Sequence, residues 1–395
     1  MKNDKQNTKA LIPKHWQIKK FEDFLDYLQP TPYIVESTEY SDEFKTPVLT
    51  AGKSFVLGNT NERKGIFNSI PVIIFDDFTT ANKFVNFPFK VKSSAMKILK
   101  PKTDSVDLKF VFYYMQTVHI TIDTHKRYWI SVFSKLPIPI PPLPEQQAIV
   151  AKIETLLSEL ENGKQQLQTA QQQLKVYRQS LLKAAFEGKL TANWRQQQTD
   201  KDYSFAAEPQ AKFSTKDELP ERWKVVKFID FCKLQRGYDL PLKKIINGKY
   251  PVVTSSGIKG YHNEFRSNGP CLITGRSGGV GNIHFIKVEK YWPHNTALFV
   301  KDFCNNVPEF VYYFFMQFNF KSFGASTTIP TLDRKQLYNE LVQLPPSEEQ
   351  HLIVSELESK LTICDKIEET ISKSLQQAET LRQSILKKAF EGRLV

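Results

Sequence analysis

The sequence predicts an α+β protein written twice along one chain, with two globular halves, two long antiparallel coiled-coil helices between them and a pseudo-two-fold internal repeat. Three observations predict it. The segment RQSLLKAAFEGKL at residues 178–190 returns as RQSILKKAFEGRL at residues 382–394, identical at ten of thirteen positions. At the same offset of 204 residues, PLPEQQAIVAKIE at 142–154 returns as PSEEQHLIVSELE at 346–358. Between these anchors apolar residues alternate at heptad spacing, whereas the rest of the chain is rich in aromatics and in short apolar runs broken by Gly, Pro and Asn.

The first globular half spans residues 1–140. Runs such as PVIIF at 71–75 and, in the other half, CLIT at 271–274 read as strands. The second globular half, residues 196–344, echoes it: LIPKHWQIKKF (11–21) resembles ELPERWKVVKF (218–228), TPVLT (46–50) matches YPVVT (250–254), and FVFYYMQ (110–116) matches FVYYFFMQ (310–317).

Residues 141–195 and 345–395 hold the helices. Pro137, Pro139, Pro141, Pro142 and Pro144, and later Pro345 and Pro346, stiffen the entries, and Gly188 and Gly392 read as stops. Ile149, Ile153, Leu156, Leu160, Leu167, Ala170, Leu174, Tyr177, Leu181 and Ala184 form a heptad seam interrupted at Gly163, a point where the helix can bend. The second seam is Ile353, Leu357, Cys364, Ile367, Ile371, Ala378, Leu381 and Ile385. The first helix should run from Glu145 to Glu187, about 65 Å at 1.5 Å per residue. Two matched copies in one chain favour pairing with each other over a homo-oligomeric zipper.

A chain of 395 residues exceeds what one core holds, about 250 to 300 residues. The net charge of +12 divides unevenly: residues 1–144 carry 20 basic and 14 acidic side chains, residues 196–345 the same numbers, and the helical stretches balance to zero. Two equal basic modules suit one polyanion touched at two places, nucleic acid ahead of a membrane surface. No apolar run approaches the roughly 18 residues of a spanning helix, and the lysine-rich N-terminus has no signal-peptide core, so a cytoplasmic protein is expected. Cys232, Cys271, Cys304 and Cys364 have no metal-binding spacing and read as reduced thiols.

Catalytic motifs fail. Residues 51–54, AGKS, end like a phosphate-binding loop, but Pro47 replaces its first glycine. Glu43 and Lys45 with Asp26 have nuclease-like residue types at a spacing common by chance, and His294, His119 and His125 lack a second set of metal ligands. The chain offers no catalytic or metal centre. Candidate DNA contacts in the second half are Arg236, Tyr238, Thr254, Ser255, Ser256, Lys259, Tyr261, Arg276, Ser277 and Asn282. There glycines allow close backbone approach, arginine can pair with guanine, and hydroxyls and Asn282 can reach base edges or phosphates. The first half has no matching Gly-rich segment, carrying PVIIFDD at the same offset; its candidates are Lys53, Arg63, Lys64, Lys126, Arg127 and Tyr128.

The duplicated PIPIPPLPEQQAIVAKIE and LLKAAFEGKL, returning as QLPPSEEQHLIVSELE and ILKKAFEGRL, resemble the DNA-specificity subunits of type I restriction-modification systems over essentially the whole chain. The resemblance implies two target recognition domains, each reading one half of an asymmetric bipartite site in double-stranded DNA, with the helices setting the unread spacer. It implies no catalysis in this chain. Two methyltransferase subunits would dock on the repeated regions, with Glu145, Gln146, Glu349 and Gln350 as candidate contacts, and restriction subunits would join through them. S-adenosylmethionine, ATP and Mg would then belong to those partners. The competing reading is a non-enzymatic coiled-coil scaffold with incidental basic charge.

Overall fold

The computed structural model describes residues 12–50, 54–121, 127–203, 219–324 and 331–395. The chain forms two compact units: unit 1 is Met1–Gln168 with Ser372–Val395, and unit 2 is Thr169–Ile371.

In unit 1 the order is β1 (Gln17–Lys20), α1 (Phe21–Phe24), β2 (Leu25–Leu28), β3 (Thr46–Leu49), β4 (Val56–Thr60), β5 (Val72–Asp76), β6 (Asn82–Val85), β7 (Lys90–Val91), β8 (Met96–Pro101), α2 (Leu108–Met115), α3 (Tyr128–Ser131), β9 (Pro137–Ile140) and the first part of α4 (Leu143–Phe186). β1 pairs with β9; a four-stranded sheet runs β2-β8-β5-β6, and a three-stranded sheet β4-β3-β7. All five residues of β5 are buried, because each of its faces meets a different layer. Val72 and Ile74 pack with Leu49, Phe89 and Val91 of the smaller sheet's side. Ile73 and Phe75 point the other way, into a cluster with Phe110 and Val111 of α2, Trp129 of α3 and Ile149 and Ile153 of α4.

Unit 2 repeats this plan. After α5 (Ala192–Tyr203) come β10 (Lys224–Lys227), α6 (Phe228–Phe231), β11 (Lys233–Arg236), β12 (Tyr250–Thr254), β13 (Gly257–His262), β14 (Ser267–Asn268), β15 (Cys271–Gly275), β16 (Ile283–Ile286), β17 (Lys290–Pro293), β18 (Ala297–Asp302), α7 (Pro308–Gln317), α8 (Arg334–Leu337), β19 (Leu341–Leu344) and α9 (Ser347–Phe390). The sheets are β10-β19, β11-β18-β15-β16 and β13-β12-β17-β14, the counterparts of those in unit 1 with β14 added. Even the parallel pairing of β3 with β7 returns, as β12 with β17.

α4 and α9 are 44 residues each, and α4 runs unbroken through Gly163. Gly188 and Gly392 end them at φ +72° and +67°, values that cost a glycine little. Each unit takes the start of one helix and the end of the other. In unit 1, Phe390 at the end of α9 lies 5.2 Å from the Phe110 ring and 5.1 Å from Tyr114. In unit 2, Phe186 at the end of α4 lies 5.1 Å from Phe310 and 5.6 Å from Phe314. The repeated A-F-E-G-x-L thus carries an aromatic plug for α2 or α7. Along the seams Ile353, Leu357, Cys364, Ile371, Ala378 and Ile385 are buried, while Tyr177, Ile367 and Leu381 stay half-exposed, as expected where only two helices meet.

Candidate nucleic-acid interface

The duplicated Glu-Gln pair at the helix entries sits inside the units. In unit 1, Gln146 is buried; its Oε1 accepts the Asp107 N–H (2.8 Å) just before α2, and its Nε2 donates to the Pro141 carbonyl (2.9 Å) and the Ser105 carbonyl (3.3 Å). Gln350 does the same in unit 2, accepting from the Val307 N–H (2.9 Å) and donating to Asn306 Oδ1 (2.8 Å) and the Pro345 carbonyl (3.1 Å). Glu349, also buried, accepts from Trp223 Nε1 (2.9 Å) and Thr191 Oγ1 (2.6 Å) and pairs with Arg195. Glu145 accepts from Trp16 Nε1 (2.9 Å) and meets His15 Nε2 (2.8 Å). The reading of Gln146, Glu349 and Gln350 as partner contacts is therefore corrected: burial and saturated hydrogen bonding make them clamps that fix each helix start to its own globular unit. The signal for these clamps in the sequence is the Trp shared by the echoed HWQIKKF and RWKVVKF, Trp16 and Trp223.

In unit 2 the candidates converge on the segment joining β17 to β18. The Thr296 carbonyl accepts the Arg276 N–H (2.9 Å) and the Ser277 N–H (3.2 Å), and Thr296 Oγ1 accepts the Ser255 N–H (3.3 Å). Asn282 Nδ2 donates to the Ser255 carbonyl (3.4 Å). The β12–β13 turn and the β15–β16 turn are thereby laced side by side. Gly275 admits no side chain, since a Cβ there would lie 1.9 Å from the Gly279 carbonyl oxygen. Ser256, Lys259, Tyr261 and Asn282 are exposed, Arg276 and Ser277 half-buried, and Arg236 is exposed 3.6 Å from Asp239. The two laced turns bring Ser256, Arg276, Ser277 and Asn282 onto one polar surface able to meet phosphates and base edges.

Three expected contacts in this unit belong to the framework instead. Thr254 is buried, its Oγ1 donating to the Gly257 carbonyl (3.0 Å) to close the hairpin, and Ser255 is buried beside it. Tyr238 packs against Trp292 and Phe299 and accepts from Gln235 Nε2 (3.0 Å).

In unit 1, Arg63 and Lys64 are exposed on the connection after β4. A buried ion pair beneath holds that connection: Lys90 Nζ lies 2.5 Å from Glu62 Oε2 and donates to the Lys64 carbonyl (2.8 Å), while Glu62 Oε1 accepts the Ser37 and Glu36 N–H groups. Burial pushes the Glu62 carboxyl up, and the hydrogen bonds from Lys90, Ser37 and Glu36 outweigh it, leaving it below the usual carboxylate range. Arg127 is exposed at the start of α3. Tyr128 is corrected: its ring is buried in the core, and its backbone N–H donates to the Asp77 carbonyl (2.9 Å). Lys53, Lys126, His125 and most of the AGKS string lie outside the described residues. PVIIFDD is β5 with the start of its turn, and since β5 stands where β15 stands, the counterpart of the Gly-rich turn is residues 77–81. A constant offset of 204 does not align these turns because the two halves differ in loop length.

Among the described residues, no group of three or more His, Cys, Asp or Glu could hold a metal ion, and no helix is long and apolar enough to cross a membrane.

Among known proteins, the family model described as type I restriction modification DNA specificity domain matches residues 13–169 and again 220–377. The specificity subunit of the Escherichia coli type I restriction enzyme EcoR124I/EcoR124II is 50% identical over 141 residues, 34% of this chain and 35% of that protein. The EcoKI specificity subunit of Escherichia coli K12 is 26% identical over 294 residues, 66% of this chain and 58% of that protein. The matched part of this chain spans less than two thirds of the length of either relative. A structure from work on complex assembly and conformational transition of a type I R-M system has a TM-score of 0.70 at 16% identity, covering 97% of this chain and 99% of that one. The HsdS subunit of Thermoanaerobacter tengcongensis gives 0.58 at 16% identity, covering 97% and 98%. Both structures show a shared fold.

Proposed function

The chain belongs to the type I restriction-modification DNA specificity family, and from that premise we propose that it is the non-catalytic, DNA-reading specificity subunit of a type I complex. Each unit reads one half of an asymmetric bipartite site in double-stranded DNA, and partner subunits methylate adenine or cleave. Two methyltransferase subunits bind the chain, and restriction subunits join through them. S-adenosylmethionine belongs to the methyltransferase, ATP and Mg to the restriction subunits, and the complex works in the cytoplasm.

One observation carries this reading: two units of the same topology, with equal basic excess in their stretches of sequence, present equivalent loops at the same edge of equivalent sheets. Lysine contacts to phosphate would supply salt-dependent affinity, and a few side chains per unit would discriminate bases.

A gel-shift with pooled duplexes tests it, using the full chain alone and together with its methyltransferase subunits. The reading expects a salt-sensitive, sequence-dependent shift in at least the assembled form. A chain that binds no DNA in either form would instead be the coiled-coil scaffold.

A further inference from the structure

The turn between β5 and β6 is fastened more heavily than a short connection needs. Asp76 Oδ1 accepts the N–H groups of Phe78 (2.7 Å) and Thr79 (2.8 Å), and the Asp76 carbonyl accepts the Thr80 N–H (3.0 Å). Asn82, buried and gripped by Gln116 Nε2 (2.5 Å), donates to the Thr80 carbonyl (3.3 Å). These bonds hold Thr80 at φ +60°, a region that a β-branched residue rarely enters. Below the turn, Asp77 faces inward: Oδ2 lies 3.4 Å from buried Lys97 and Oδ1 accepts the Trp129 N–H (2.8 Å). Both carboxylates of the turn are thus buried, and at its tip Phe78 stands 41% exposed, a large apolar side chain with no core to fill.

The frame of this turn is that of the Gly-rich turn in unit 2. Asp76 N–H to Ala81 O (2.8 Å) matches Gly275 N–H to Asn282 O (3.1 Å). Asp77 N–H to Ala95 O (3.1 Å) matches Arg276 N–H to Thr296 O (2.9 Å), and Tyr128 N–H to Asp77 O (2.9 Å) matches Leu332 N–H to Arg276 O (2.9 Å). Phe78 thus occupies the place of Ser277, and exposed Arg127, next to the Tyr128 whose N–H props the turn, lies at its flank.

We infer that the β5–β6 turn is the base-reading loop of unit 1, with Phe78 seated against a thymine methyl in the major groove and Arg127 on the adjoining phosphate. This rests on the specificity-subunit reading. A phenyl ring offers neither donor nor acceptor, and the only apolar group on a major-groove base edge is the thymine C5-methyl. A rigid, strained turn holds the ring in place before DNA arrives, so the contact discriminates rather than merely adheres.

The test is selection of bound duplexes from a randomised pool by the full chain assembled with its methyltransferase subunits, for wild type, Phe78→Ala, Phe78→Leu and Arg276→Ala. Wild type should prefer thymine at a position in the half-site that Arg276→Ala leaves unchanged. Phe78→Ala should lower that preference about five- to tenfold, with Phe78→Leu between. Deoxyuridine at that position, which lacks only the methyl, should reproduce the loss in wild type and add nothing to Phe78→Ala, a signature that a merely structural role would not give. The inference is overturned if that half-site shows no thymine preference, if Phe78→Ala leaves every preference intact, or if deoxyuridine and Phe78→Ala act additively. A wild-type complex that selects no sequence at all would instead sink the specificity-subunit reading.

Discussion

Replacing Glu349 with Ala should loosen unit 2 far more than replacing Glu145 with Ala loosens unit 1, although the two residues hold the same place in the repeat. The Glu349 side chain is 1% exposed, that of its partner Arg195 14%, and the carboxylate also accepts from Trp223 and Thr191. Alanine there deprives a buried indole N–H and a buried hydroxyl of their acceptor and breaks the ion pair with a largely buried guanidinium, a loss of about 3–5 kcal/mol. Glu145 is 28% exposed and its partner His15 58%, so water can replace much of what the carboxylate did, and about 1 kcal/mol is expected. Hydrogen exchange read by mass spectrometry resolves the units separately, through peptides of β10 and β19 for unit 2 and of β1 and β9 for unit 1. At about 1.36 kcal/mol per decade, Glu349→Ala should speed exchange in unit 2 by roughly two to four orders of magnitude, and Glu145→Ala in unit 1 by about fivefold. Equal acceleration in the two variants, or none in Glu349→Ala, would refute the assignment of these residues as clamps of unequal burial.

Lys259 is exposed on β13, and Lys259→Ala should weaken binding about equally for all sequences and reduce the slope of log affinity against log salt by about one. A changed base preference would show that Lys259 reads bases. Arg276→Ala should relax specificity in one half-site only, by about 1–3 kcal/mol in the same selection experiment. Because the Glu62 carboxyl lies below its usual range, its support for residues 61–65 is complete at neutral pH and should be lost as pH falls through that lowered value. Exchange protection there, corrected for intrinsic rates, should drop on acidification, and Glu62→Gln should abolish the pH dependence.

The repeat, the helices and the strand character of 71–75 and 271–274 were legible because periodicity and self-similarity are local properties. The helix bounds shifted only from Glu145 and Glu187 to Leu143 and Phe186. What was not legible depended on partners far along the chain. Glu349 and Gln350 looked like a surface motif because nothing in their neighbourhood reveals Trp223, Arg195 or Asn306. Tyr128, Thr254 and Ser255 are residue types equally suited to a surface and to a framework, and only the folded layers bury them. Phe78 gives no functional signal in the sequence for the complementary reason: an aromatic beside a buried strand has the pattern of a core residue, and only the Asp76 turn aims it outward.

The central claim is that each unit reads its own half of the DNA site. Exchanging residues 1–140 for those of another member of the family, then sequencing adenine methylation across the host genome, tests it most directly. One half of the bipartite motif should change and the other persist base for base. A motif altered in both halves, or in neither, would contradict the account.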